Sequence, residues 1–165
     1  LVGSEMCIRD RSCTGTSACS FGEPWTDNSD APGSHNGVDT RSDMLRNLSS
    51  PLDPYTGQPL PQQRRQKHID HLFPLAAAWD LGAAQWPQRK RTSFANDIER
   101  NLVVVSGDVN IDKGDSTPSE WLPPWKGSQC WYAARYLTVA IYYQLAITEA
   151  DWHALSGARR LCHRS

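Results

Sequence analysis

Over residues 12 to 40 apolar positions are sparse, with Phe21 and Trp25 standing among Ser, Thr, Gly, Asp, Asn and Pro, a mixture that predicts ordered loop. The pattern then tightens. Met44, Leu45 and Leu48 follow at helical spacings, and Asp39 or Thr40 is placed to cap them, so a short amphipathic helix is predicted over Arg41 to Leu48. Pro51, Pro54, Gly57, Pro59 and Pro61 forbid regular helix in the connector that follows. Lys67 to Phe73, with Ile69, Leu72 and Phe73, reads as a strand ending at Pro74. Two modest helices are predicted next, around Leu75 to Leu81 and around Pro87 to Asn96, the second with Pro in its first turn. Leu102 to Val105 is a β-branched run and the clearest strand signal in the chain.

Beyond it, Ser106-Gly107-Asp108 predicts a turn, and Asp108 to Lys113 a helix or long turn stopped by Gly114. Thr117-Pro118-Ser119-Glu120 has the form of a capping box, which Pro123 and Pro124 hold to about one turn. Ser128 to Ile147 is the longest predicted helix. Leu137, Ile141 and Leu145 lie four apart on one apolar face, and Tyr136, Val139 and Tyr143 add a second, so this helix should be central to the core. Thr148 with Asp151 caps a further helix to about Leu161, which makes a helical hairpin. Cys130 and Cys162 then fall at the same end of it. A disulfide can close there, contributing a few kcal/mol and implying an oxidising compartment.

Composition narrows the classes. The 165 residues and 39% hydrophobic content suit one packed domain, and no repeat supports a solenoid or coiled coil. With 17 Lys and Arg against 18 Asp and Glu, the formal net charge of -1 excludes a basic nucleic-acid coat. The most apolar stretch, Trp131 to Ile147, contains Arg135 and falls short of the roughly 18 residues a membrane span requires. Five cysteines, at 7, 13, 19, 130 and 162, lack the paired spacing of a structural zinc site. Leu1 to Arg11 fits neither helix nor strand periodicity, and Ser4 to Arg11 resembles translated sequencing adapter. The segment reads as an artefact or as a disordered extension, with residues 12 to 165 as the domain and no secretory leader at the amino end. Setting Cys7 aside leaves four cysteines, with Cys13 and Cys19 close enough to pair.

Asp70-His71 alone carries little, because a histidine beside an apolar run usually serves packing. Order changes its weight: His68-Ile69-Asp70-His71-Leu72-Phe73-Pro74, about thirty residues of helical spacer, the strand from Asn101 to Val105, then Asn110-Ile111-Asp112-Lys113-Gly114-Asp115. This order resembles the ββα-metal, or HNH, nuclease finger. The resemblance extends to Phe21-Gly22, Trp25, His35-Asn36-Gly37, Asp39-Thr40-Arg41, Asp53-Pro54-Tyr55-Thr56-Gly57, Ala95-Asn96-Asp97, Glu120-Trp121-Leu122-Pro123-Pro124 and Cys130-x-Tyr132. These look like the secreted HNH endonuclease family formerly known as a domain of unknown function, over about Phe21 to Cys162. Two departures stand out: Val38 occupies a usual cysteine position and the hairpin with its partner cysteine is missing between Leu48 and Pro51, while Ala134 stands where an arginine is common.

The resemblance implies an α+β fold, a small β-hairpin plus helix finger over about residues 67 to 116, embedded in a mainly helical domain with long ordered loops and a C-terminal hairpin over about 128 to 162. It implies phosphodiester hydrolysis of DNA, with RNA as an alternative, by a secreted monomer of low sequence specificity. His71 suits the general base, since imidazole titrates near neutrality. Asp70 and Asn110 are hard oxygen donors that, completed by water and phosphate, suit one Mg²⁺, with Mn²⁺ as a substitute, better than zinc. Asn101 would brace the His71 loop, and Lys113, one helical turn past Asn110, would reach the phosphate as a point charge. His68 could approach metal or DNA, or be a partly exposed strand histidine. Arg41, Arg89, Arg91 and Arg135 are candidate substrate contacts, against ion pairs or a solvated face as the simpler reading. The other class of function left open is a nucleic-acid- or metal-binding module on the same scaffold without turnover. The tryptophans at positions 79, 86, 121, 125 and 131, near helix ends and Pro turns, are read as packing rather than base stacking.

Overall fold

The computed structural model describes residues 21 to 163. Residues 1 to 11, Cys7, Cys13 and Cys19 therefore lie outside the described residues.

The architecture is α+β: among the described residues, a two-stranded antiparallel hairpin is surrounded by six α-helices. Helix α1 is Thr40–Arg46, β1 is Lys67–His71, α2 is Leu75–Asp80 and α3 is Gln88–Ala95. These are followed by β2, Leu102–Ser106, α4, Gly107–Lys113, α5, Lys126–Tyr143, and α6, Glu149–Arg159. Helix starts follow local chemistry. The Asp39 carboxylate accepts the Ser42 N–H at 2.8 Å ahead of α1, Pro74 and Pro87 precede α2 and α3, and the Thr148 hydroxyl accepts the Asp151 N–H at 3.0 Å ahead of α6. Thr117 and Glu120 make the reciprocal box contact at 2.9 Å, yet no α-helix grows from it before Pro123 and Pro124. Helix α4 starts directly at Gly107, where the sequence predicted a turn, because Ser106 is already its N-cap.

The long helix starts at Lys126, two residues before the predicted Ser128, and departs from prediction in two further ways. It ends at Tyr143, not Ile147, because Gln144 turns left-handed at φ 59° and its N–H, with that of Leu145, closes onto the last carbonyls. Its buried face is Tyr132, Tyr136, Val139, Ala140 and Tyr143, while Ile141 is 77% exposed. The aromatic face is the one that interlocks. Phe73 stacks on Tyr136 at 4.5 Å, and Phe94 meets Tyr143 edge-on at 5.0 Å. Each fully buried side chain of this size is worth about 1.5–3 kcal/mol in transfer free energy. Cys130 and Cys162 are joined, closing the α5–α6 hairpin at the predicted end.

The strand register pairs Lys67 with Ser106, Ile69 with Val104, Asp70 with Val103 and His71 with Leu102. Side chains alternate across such a hairpin. Ile69, Leu102 and Val104 form a small cluster with Trp25, Met44 and Leu45, while Val105 faces the main core. Consecutive residues of β1 therefore enter different environments, which matters for Asp70 and His71.

Candidate active site

His71 closes β1 in the wall of a cavity of about 510 Å³, a wall that also includes Trp25, Asp70, Ala95, Asn96 and Asn110. The strand end is fixed from behind by Asn101. Its backbone carbonyl accepts the Leu72 N–H at 2.8 Å and its side-chain oxygen accepts the Phe73 N–H at 2.9 Å, with Asn101 fully buried. The Asn101 amide returns two longer bonds of 3.4 Å to the carbonyls of Phe73 and Phe94. Thus Asn101 braces the segment after His71 against the end of α3.

The imidazole is held at two places. Its Nε2 lies 2.9 Å from the Ala95 carbonyl, an acceptor only, so the neutral ring carries its proton on Nε2 and its lone pair on Nδ1. The Trp25 indole stacks on the ring, centroids 5.8 Å apart and planes within 18°. Burial pushes the His71 pKa below its ordinary value, against the opposing pull of the Ala95 carbonyl and the Asp70 charge. A neutral imidazole with one lone pair directed away from its anchored edge can accept a proton.

Asp70, whose side chain alternates with that of His71 along the strand, lines the same cavity yet is only 6% exposed. Tyr55 donates to it at 2.5 Å, and the Lys113 ammonium lies 3.0 Å from one oxygen and 2.9 Å from the other. Lys113 is 1% exposed and donates also to the His71 carbonyl at 2.9 Å. This corrects the expectation that Lys113 reaches outward to a phosphate: the helical spacing is right, but the buried Asp70 carboxylate draws the ammonium inward. Burial, then the Asp70 charge, raises the Tyr55 pKa well above the usual phenol value, so Tyr55 stays a donor. Asp53 completes the anchoring, accepting the Ser106 N–H at the start of α4 at 2.8 Å.

The second proposed oxygen donor, Asn110, is brought to the same cavity from α4. Its amide nitrogen is 3.3 Å from His68 Nδ1, which leaves its carbonyl oxygen as the donor atom for a cation. His68 thus sits against Asn110 rather than lining the cavity. Among the described residues, the cavity wall includes the acidic Glu23, Asp70 and Asp115 and no Lys or Arg. That lining repels a phosphodiester and attracts a cation. No three His, Cys, Asp or Glu side chains among the described residues gather where they could hold a metal ion. Any ion would therefore rest on Asp70 and Asn110 with the rest of its shell from water and substrate, a sparse oxygen set that fits a hard divalent cation.

The candidate arginines are not brought to this cavity. Arg41 donates to the Lys67 carbonyl at 3.4 Å, and Arg89, largely exposed, pairs with Asp30. Arg91 clamps the Trp86 carbonyl at 2.7 Å and lies over Trp79, while Arg135 donates to the Arg100 carbonyl at 3.0 Å. Arg135 lines a second cavity of about 690 Å³, with Leu102, Val104 and Trp131. Arg91 and Arg135 are committed to backbone carbonyls, a use of arginine that leaves no mark in local sequence. Trp25 and Tyr55 received no role from the sequence. Their only signal is membership in the Phe21-to-Trp25 and Asp53-Pro54-Tyr55 segments.

The family model for GmrSD restriction endonucleases, C-terminal domain, matches residues 25–158. An uncharacterized secreted protein of Arthroderma benhamiae is 40% identical over 95 residues, covering 57% of this chain and 47% of that protein. The chain thus spans about half the length of this curated relative. No solved structure matches.

Proposed function

The chain belongs to the family of GmrSD restriction endonuclease C-terminal domains, and from that premise we propose that it is a metal-dependent endonuclease with an HNH-type finger, hydrolysing DNA with little sequence specificity. RNA is the second polymer to test, and a secreted monomer is the form proposed. The relative named as secreted and the Cys130–Cys162 bond support that location. No helix among the described residues is long and apolar enough to cross a membrane.

The observation that carries the reading is the His71 ring, anchored through Nε2 to the Ala95 carbonyl so that the neutral ring has its lone pair on Nδ1. Hydrolysis requires a water oxygen to bond to phosphorus as its proton departs and the ester P–O bond breaks. His71 Nδ1 takes that proton, and the Ala95 carbonyl stabilises the imidazolium that forms. The leaving oxygen is protonated from solvent. Asn101 holds the strand end so that the ring keeps its aim. Asp70 and Asn110 would hold Mg²⁺, or Mn²⁺ in its place, and the bound ion would supply positive charge against the phosphate oxygens. Lys113 keeps Asp70 oriented from behind.

Of the alternative module that binds nucleic acid or metal without turnover, one observation favours the nucleic-acid form: both Asp70 oxygens already have donors in Lys113 and Tyr55, which weakens their hold on a metal. A carboxylate has about four acceptor sites, so the two readings are separable by experiment. Supercoiled plasmid incubated with the protein and Mg²⁺ or Mn²⁺ should be nicked, and EDTA should stop the reaction. Salt-sensitive DNA binding with no cleavage under any divalent ion would support the module instead.

A further inference from the structure

We propose that Trp25 is a positioning residue for His71, clamping the face of the imidazole so that Nδ1 points into the cavity; this rests on the nuclease reading above. The Ala95 carbonyl fixes only one edge of the ring. A single hydrogen bond leaves rotation about that contact free, and the terminal torsion of a histidine is intrinsically broad. The Trp25 indole removes that freedom by lying nearly parallel to the ring at 5.8 Å.

The backbone shows that this placement is imposed. Trp25 has φ 58°, a left-handed conformation that costs a bulky residue about 1–3 kcal/mol and persists only when the surroundings over-determine it. They do so here. The Trp25 carbonyl accepts the Thr40 N–H at 3.1 Å, and the Thr40 hydroxyl donates to the neighbouring Thr26 carbonyl at 3.2 Å, so the loop is tied to the first turn of α1. Asp27, two residues on, accepts the Asn36 and Gly37 N–H groups at 3.1 and 2.8 Å. A tryptophan needed only to fill space could sit in relaxed backbone. This one is held in an unfavourable conformation, half-buried, with its ring on the candidate base and its edge in the cavity wall.

The test compares Trp25→Ala and Trp25→Phe with wild type in plasmid or oligonucleotide cleavage at fixed pH and saturating Mg²⁺. Trp25→Ala should lower kcat about tenfold or more with KM within about twofold, since the base is misaligned while substrate contacts remain. Trp25→Phe, which keeps an aromatic face, should stay within about threefold of wild type. Independently of activity, the His71 ring protons in wild type should show the upfield NMR shift of a ring under an indole, and Trp25→Ala should abolish it. Thermal melts establish that each variant is folded. If Trp25→Ala does not fold, Trp25→Phe and the wild-type shift decide the matter. A rise in KM at unchanged kcat would make Trp25 a substrate-stacking surface and overturn the proposal, as would wild-type kcat in a destabilised Trp25→Ala. If wild type itself does not cut, the nuclease reading fails, and a His71 shift in Trp25→Ala unchanged from that of wild type would then overturn the clamp as well.

Discussion

Asp70 and His71 are neighbours in sequence, yet the two sides of the hairpin treat them oppositely. The Asp70 side is closed: a carboxylate with two donors, a lysine of 1% exposure and a fully buried tyrosine. His71 lies in the cavity wall with one ring edge anchored, Trp25 stacked on it and the lone pair of the neutral ring on Nδ1. The difference teaches where rigidity is placed. An enclosed ion pair fixes the strand, and the proposed base stands on it, anchored at Nε2 with its lone pair on Nδ1, which is the division of labour a preorganised base would require.

The largest break in that comparison comes from emptying the closed side. Lys113→Met should destabilise the protein by about 3–5 kcal/mol, because it leaves a buried carboxylate without its cation, and urea unfolding would measure it. A loss below about 1 kcal/mol would show that Asp70 is in practice solvated, and the contrast between the two sides would collapse. A smaller effect is expected from the brace they share. Asn101→Ala orphans the buried Phe73 N–H and should cost about 1–3 kcal/mol, together with a fall in kcat as the strand end loosens. Unchanged stability and unchanged kcat would mean that Asn101 braces nothing.

Much of this arrangement is legible in the sequence because it rests on local signals. The β-branched run at Leu102–Val105 announces β2, the Pro and Thr caps place three helix starts, and Cys130 and Cys162 fall together once two helices are drawn as a hairpin. The ordered Asp70-His71, Asn101 and Asn110 set identifies the residues that converge on one strand end and cavity. What was not legible depends on partners far along the chain. The direction of Lys113 is decided by Asp70, 43 residues earlier, and the register of α5 by the aromatic rings of Phe73 and Phe94. Gln144 ends α5 in a conformation for which glycine is the usual signal. Arg91 and Arg135 satisfy distant or helix-end carbonyls, so their positive charge suggested a substrate contact that the geometry does not support. Trp25 and Tyr55 act through tertiary contacts with β1 and carry no spacing that would reveal them.

On the proposed mechanism His71 is the base and its surroundings aim it. The most direct test is cleavage of supercoiled plasmid by His71→Ala beside wild type, in Mg²⁺ and in Mn²⁺, with folding of the variant verified by its melting curve. A general base contributes about 10²–10⁴-fold, so His71→Ala should be a folded protein that still binds DNA but whose cleavage falls by at least about a hundredfold. Cleavage by His71→Ala within about tenfold of wild type would contradict it.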